Sequence, residues 1–239
     1  MASTGLLFFG FYRETHVRSR PCLGIILDMQ YKRHYNFTKP PQKRIICGGL
    51  VKCVTGGDRM LFSSKECKEK YGNYYQINKV IQAGILYKVA DGVYSDTPRV
   101  SEIEIIMYRY PQTVFTLNSA FYYHGLTDVI PNRYYLASVR DTHKIPDPQI
   151  KQVFCSGDKF CIGISAMEYQ GTTIRIYDRE RMLIELIRSA KNLPFDYYKE
   201  IIESYRRSVH SLDIQKLQEY IPVFPKGDAI MESIELEVL

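Results

Sequence analysis

The sequence predicts an α+β fold in which two short helices and a hairpin come first, a mixed sheet-and-helix domain follows, and a helical tail ends the chain. Three observations carry this. Residues 62–96 hold two stretches with apolar side chains at helical spacing, then two β-rich runs around an Asp-Gly pair. Residues 113–177 mix β-branched and aromatic runs with a short capped segment. From Asp178 onward apolar residues recur at intervals of three and four.

Ser63 is a good N-cap for the first helix, because Glu66 three residues on can bond back to the cap's amide and Phe62 can staple against Cys67. Tyr71-Gly72-Asn73 then breaks the helix with residues that tolerate left-handed backbone, leaving a three-residue turn. In the second helix Tyr74, Ile77, Val80 and Ile81 share one face and are expected to be buried, whereas Tyr75, Asn78, Lys79 and Gln82 form a polar stripe opposite. Gly84 closes it. Residues 85–89 and 93–95 read as strands joined by Ala90-Asp91-Gly92. Helix, tight turn, helix and hairpin make the pattern of an N-terminal winged helix-turn-helix. DNA-binding roles are therefore expected for Tyr75, Gln76, Asn78, Lys79 and Gln82 in the major groove, and for Lys88 of the wing on phosphate.

After the wing, Thr97-Pro98 reads as a hinge, and Ser101 caps a helix over 102–110 that Pro111 ends. Residues 113–116 are strand-like, Asn118 is expected to cap a short helix ending at Gly125, and residues 134–139 form another strand. Residues 140–152 read as a polar, Pro-punctuated loop. Residues 160–167 and 172–177, around Gln170-Gly171, look like a hairpin. Asp178 caps a helix carrying Leu183, Leu186, Ile187 and Ala190, and helices over 196–207, 213–220 and from 228 onward complete a mixed α/β C-terminal domain.

Three blocks in this order resemble the AbiEi family, the antitoxin halves of type IV toxin-antitoxin pairs. AGILYKVADGVY, residues 83–94, is similar to the family's Gly-x-Leu-x-basic-x-x-x-Gly-x-Tyr wing. TVFTLNSAFYYHGLTDVIPNRYYLAS, residues 113–138, resembles its Ser-Ala-x-x-x-His-Gly-Leu segment. Residues 174–205 resemble its Glu-Arg-Thr-x-x-Asp-Leu-x-Arg helix and the amphipathic helix after it, with Met182 in place of Thr and Glu185 in place of Asp. The resemblance covers residues 60–239. It implies a winged helix-turn-helix over 60–97, an antitoxin domain over 98–239, operator DNA as one partner, and a neighbouring nucleotidyltransferase-like toxin as the other, opposed with or without direct binding.

Charge is unevenly spread. Residues 1–59 carry ten Lys/Arg against three Asp/Glu, while the other 180 residues are close to neutral, so the overall +6 belongs to the N-terminal piece. That piece lacks sustained periodicity. It reads either as a basic arm tracking phosphates or as upstream DNA read in frame, the product then starting at Met60. The second reading is preferred, because codons for Gly56-Gly57 can spell a ribosome-binding sequence just before Met60. The six cysteines form no Cys-x-x-Cys pair, and neither a metal site nor a disulfide framework is expected. No apolar run spans a bilayer and no signal peptide is recognisable, so the expected setting is cytoplasmic, away from the membrane.

His124 lies near Ser119, Tyr122, Tyr123 and Asp128, where a base and a nucleophile are conceivable, yet nothing in the spacing supplies an oxyanion site. The simpler reading is a local hydrogen bond at the helix end. Asp178, Arg179, Glu180, Arg181, Glu185 and Arg188, and with them the basic patch of Lys199, Arg206 and Arg207, read first as solvated faces of helix-surface ion pairs and otherwise as contact surfaces for a partner protein or nucleic acid. Of the paired tyrosines, one of each pair is expected in the core and the other at its rim. There is no Walker loop, no His-Glu-x-x-His and no Gly-x-Ser-x-Gly. The expectation is a non-enzymatic protein without a cofactor. The alternative is a winged-helix transcription regulator with a ligand-sensing or dimerisation domain and no toxin; an enzyme built on His124 and Asp128 comes third.

Overall fold

Ser63 caps helix α1 (Ser64–Tyr71) in the computed structural model, which describes residues 60–239; the expectations for residues 1–59 lie outside the described residues. The Ser63 hydroxyl accepts from Glu66 N at 3.2 Å, and the Glu66 carboxylate accepts from Ser63 N at 2.6 Å, a complete capping box. Gly72 turns the chain at φ 93°, and Asn73 caps α2 (Tyr74–Gln82) by accepting from Gln76 N. Only two residues separate the helices. At the far end Gly84, at φ 69°, donates to Ile81 O and Ile85 to Val80 O, which satisfies two orphan carbonyls of the last turn.

Strands β2 (Tyr87–Ala90) and β3 (Val93–Ser95) form the expected hairpin around Asp91-Gly92. Strand β1 (Leu61–Ser63) was not expected; it pairs antiparallel with β3, giving the order β1-β3-β2. Three residues are too few to show a period of two, and the partner lies beyond both helices. Phe62, Cys67, Ile77, Leu86 and Tyr94 form the core beneath these elements, so the Phe62–Cys67 staple is present. Burial pushes the Cys67 thiol up to about 11 and makes it a poor nucleophile.

Ser101 caps α3 (Glu102–Arg109), which stops before Pro111 as expected. A mixed five-stranded sheet follows, ordered β6-β5-β4-β8-β7: β4 (Val114–Phe115), β5 (Tyr134–Val139), β6 (Ile150–Cys155), β7 (Ile164–Tyr169) and β8 (Thr172–Tyr177). Strand β6 corrects the expected loop, which ends at Gln149. It runs parallel to β5 from Tyr134↔Ile150 to Val139↔Cys155, and its irregular polarity gave no alternation to read. The expected strand at 160–167 also shifts: Phe160 is buried at the end of the short helix α5 (Gly157–Phe160), and β7 begins at Ile164. Gln170 and Gly171 both take positive φ in a tight two-residue turn.

Helix α4 (Leu117–Tyr123) starts with Thr116, not Asn118, at the cap position. Thr116 is held extended by its own N–H bond to Tyr135 O, so strand pairing sets where this helix begins. Asp178 caps α6 (Arg179–Ser189), and α7 (Phe195–Arg207), α8 (Ile214–Tyr220) and α9 (Gly227–Glu237) form the helical tail. Helix α6 packs on α4, α8 and α9 over a core that includes Phe115, Leu136, Ile176, Leu183 and Tyr205. The described residues are thus a mixed α+β arrangement with two sheets and nine α-helices.

Candidate nucleic-acid interface

Ile77 anchors α2 in the first core, with Val80 and Ile81 half-buried beside it. That orientation is fixed by packing. It leaves Tyr75, Gln76, Asn78, Lys79 and Gln82 exposed along the helix, and Lys88 exposed on β2. The Lys79 ammonium sits 4.7 Å from the centre of the Tyr75 ring, so the two side chains share one stretch of surface. Lys88 pairs with Asp91 at 3.3 Å across the hairpin turn; both are exposed, and such a pair is readily exchanged for another anion.

Tyr74 departs from expectation. It is 56% exposed, not buried with Ile77, and Lys68 of α1 lies 4.2 Å above its ring. At the first helical position the side chain looks back past the turn, where Gly72 and Asn73 offer no apolar wall. Tyr74 and Tyr75 are therefore both outside the core, against the expected core-and-rim division; Tyr197 and Tyr198 are both half-buried, as are Tyr134 and Tyr135, while Tyr122 and Tyr123 follow it. Lys68 and Tyr74 join the exposed polar surface although sequence periodicity did not select them. The only available signal was the pair Lys65 and Lys68, three residues apart in α1.

The other candidates are engaged elsewhere. His124 Nε2 lies 2.7 Å from Tyr177 O, and since a carbonyl only accepts, Nε2 carries the proton. Burial lowers the His124 pKa, outweighing the carbonyl bond that raises it. The Ser119 hydroxyl accepts from Tyr135 N at 2.8 Å, and Asp128 N donates to Glu200 at 3.3 Å. The side chains of His124 and Ser119 and the backbone amide of Asp128 thus bond to three different parts of the fold.

The charged helix α6 requires a correction. Glu180 and Arg181 are buried, Arg181 to 1% exposure. Arg181 donates to Glu185 Oε1 at 2.6 Å and stacks 4.2 Å from the Phe224 ring centre and 5.0 Å from that of Tyr177. Glu180 accepts from Asp213 N. The ion pairs expected at helical spacing do form, including Arg188 to Glu185, but the segment around Phe224 covers part of the face that sequence left to solvent. Arg206 donates to Glu237 O, and Arg207 to the Ser204 hydroxyl at 2.8 Å; Lys199 lies 5.5 Å from the Phe195 ring centre.

Among the described residues there is no cluster of three or more His, Cys, Asp or Glu side chains able to hold a metal ion, and no helix long and apolar enough to cross a membrane. No protein-family model matches the chain, and no curated protein is significantly similar to it.

Proposed function

We propose that this chain is the antitoxin of a type IV toxin-antitoxin pair, which opposes a nucleotidyltransferase-like toxin and represses its own operon through a winged helix-turn-helix over residues 60–97. The observation that carries the DNA-binding part is the exposed polar face of α2, anchored by Ile77 and followed by a short hairpin. Asn78 and Gln82 suit bidentate contacts to adenine, and Lys79 and Lys88 suit phosphates. The antitoxin part is supported by the three sequence blocks at residues 83–94, 113–138 and 174–205.

A growth assay separates the two activities. A bacterial host expressing the adjacent gene is compared with and without the full chain, and with the full chain carrying Asn78→Ala and Lys79→Ala. Toxicity of the neighbour, rescued by both forms, supports an antitoxin whose neutralising activity does not need DNA. A neighbour that is harmless under confirmed expression sinks the antitoxin reading. The protein then reads as a winged-helix regulator with a ligand-sensing domain, which one observation favours: Arg109 donates to Asp91 O in the hairpin turn and also lines a cleft in the second domain.

A further inference from the structure

The cleft beside Arg109 lies between the turn that follows α3, strand β5, the loop after it, and β6. Its volume is about 260 Å³, below the range of drug-sized sites and suited to a small metabolite. Its inner wall is tied together by hydrogen bonds. Gln152 Nε2 donates to Ser138 Oγ at 2.8 Å and to His143 O at 3.2 Å, and its Oε1 accepts from Ile145 N at 2.8 Å; the Thr142 and Thr113 hydroxyls donate to backbone carbonyls. Further donors stand at the rim, on Arg109 and the exposed side chains of Gln112 and His143, and Tyr110 with its hydroxyl also lines the cleft.

Arg109 is poorly answered for a cation. Its Nη2 donates to the neutral carbonyl of Asp91 at 2.5 Å, and its Nη1 is 4.0 Å from Asp147 Oδ2, beyond hydrogen-bond reach. The other oxygen of the Asp147 carboxylate accepts from Gln149 N at 3.0 Å within its own loop. A guanidinium so placed gains most from a two-oxygen anion, because paired charge-assisted bonds outweigh one bond to a carbonyl.

We infer that this cleft binds a small molecule bearing a carboxylate or phosphate group, held by Arg109 with His143 at the rim, and that binding draws Arg109 away from Asp91 and loosens the hairpin turn. The coupling has a physical basis: the ligand and the Asp91 carbonyl compete for the same guanidinium, so the bound and tethered states differ in ligand affinity. The inference goes beyond the proposed function and does not depend on DNA binding.

The test is a titration of the isotope-labelled full chain with inorganic phosphate, pyrophosphate and citrate, followed by NMR, with amide hydrogen exchange of the hairpin. At least one probe should cause saturable shifts at Thr113, Thr142, Asp91 and Gly92, and accelerate exchange of the hairpin amides a few-fold. Arg109→Gln should weaken binding about tenfold or more and show fast hairpin exchange with or without the probe, and His143→Ala should weaken binding while leaving exchange in the free protein unchanged. Absence of saturable shifts with all three probes overturns the inference. So do shifts that persist undiminished in both variants, and shifts in the cleft that leave Asp91 and Gly92 unmoved.

Discussion

The hydroxyl of Tyr108 donates to Glu66 Oε2 at 2.8 Å, so the carboxylate that completes the capping box of α1 also receives the last turn of α3. With Arg109 reaching Asp91 O, two successive residues of α3 hold both the first helix and the hairpin turn. Two hydrogen bonds from α3 thus fix it to the cap of α1 and to the turn of the hairpin.

Burial by itself would raise the Glu66 carboxyl, but bonds from the Ser63 amide, the Ser63 hydroxyl and Tyr108 together hold it below its ordinary value of 4.5. A carboxyl with a depressed folded-state pKa adds stability that is present above its unfolded value and lost as pH falls through the folded value. Tyr108→Phe should cost about 1 kcal/mol at neutral pH, and that difference should shrink as the pH drops below 4.5. Urea denaturation at several pH values measures both. A cost that stays constant into acid would show that Glu66 is not the partner that matters.

Arg181 is the buried member of a pair whose other member, Glu185, also holds Arg188. Truncation to Ala leaves the half-buried Glu185 carboxylate with Arg188 alone and removes the packing on Phe224 and Tyr177, at a cost of about 3 kcal/mol. The double change Arg181→Met with Glu185→Leu should recover most of that loss, since apolar side chains fill the space without buried charge. Gly163 bears on the same spot. It takes φ 72°, and an added Cβ would lie 2.5 Å from Arg181 Cβ, so Gly163→Ala should destabilise by more than about 1 kcal/mol. Chemical denaturation of the three variants tests the set.

His124 is half-buried, and desolvation lowers its pKa from 6.5. A base with a depressed folded-state value contributes stability that is fully present above its unfolded value and lost as pH falls toward the folded one. Wild-type stability should therefore decline as pH drops below 6.5, and His124→Gln, which keeps a donor for Tyr177 O but cannot titrate, should flatten that decline. Melting temperatures across this range decide it; equal slopes in the two proteins would rule His124 out as the cause.

On the proposed DNA-binding reading, Asn78→Ala should cost about 1–3 kcal/mol at the operator and relax base preference, whereas Lys79→Ala should weaken binding equally on all sequences and lower the salt dependence by about one ion. Tyr74→Ala should weaken binding too, because that ring is exposed and attended by Lys68. Fluorescence anisotropy on operator and scrambled duplexes at two salt concentrations separates these effects. If all three variants bind like wild type, α2 does not enter the groove.

What the sequence determined by itself is much of what depends on neighbours within about four residues. The capping box of Ser63 and Glu66, the caps at Ser101 and Asp178, the Asp91-Gly92 turn, the Gly84 stop, the Arg181–Glu185 spacing and the exposed stripe on α2 were all legible, because their hydrogen bonds close within one turn. Only the tertiary structure decided the rest. Strand β6 exists by pairing with β5, strand β1 by pairing with β3, and α4 begins where Thr116 is held by Tyr135. The burial of Arg181 depends on Phe224, and the second role of Glu66 on Tyr108. A side chain's charge or polarity says what it needs, but whether that need is met by water, a ring or a distant carbonyl is set by which segments the fold brings together.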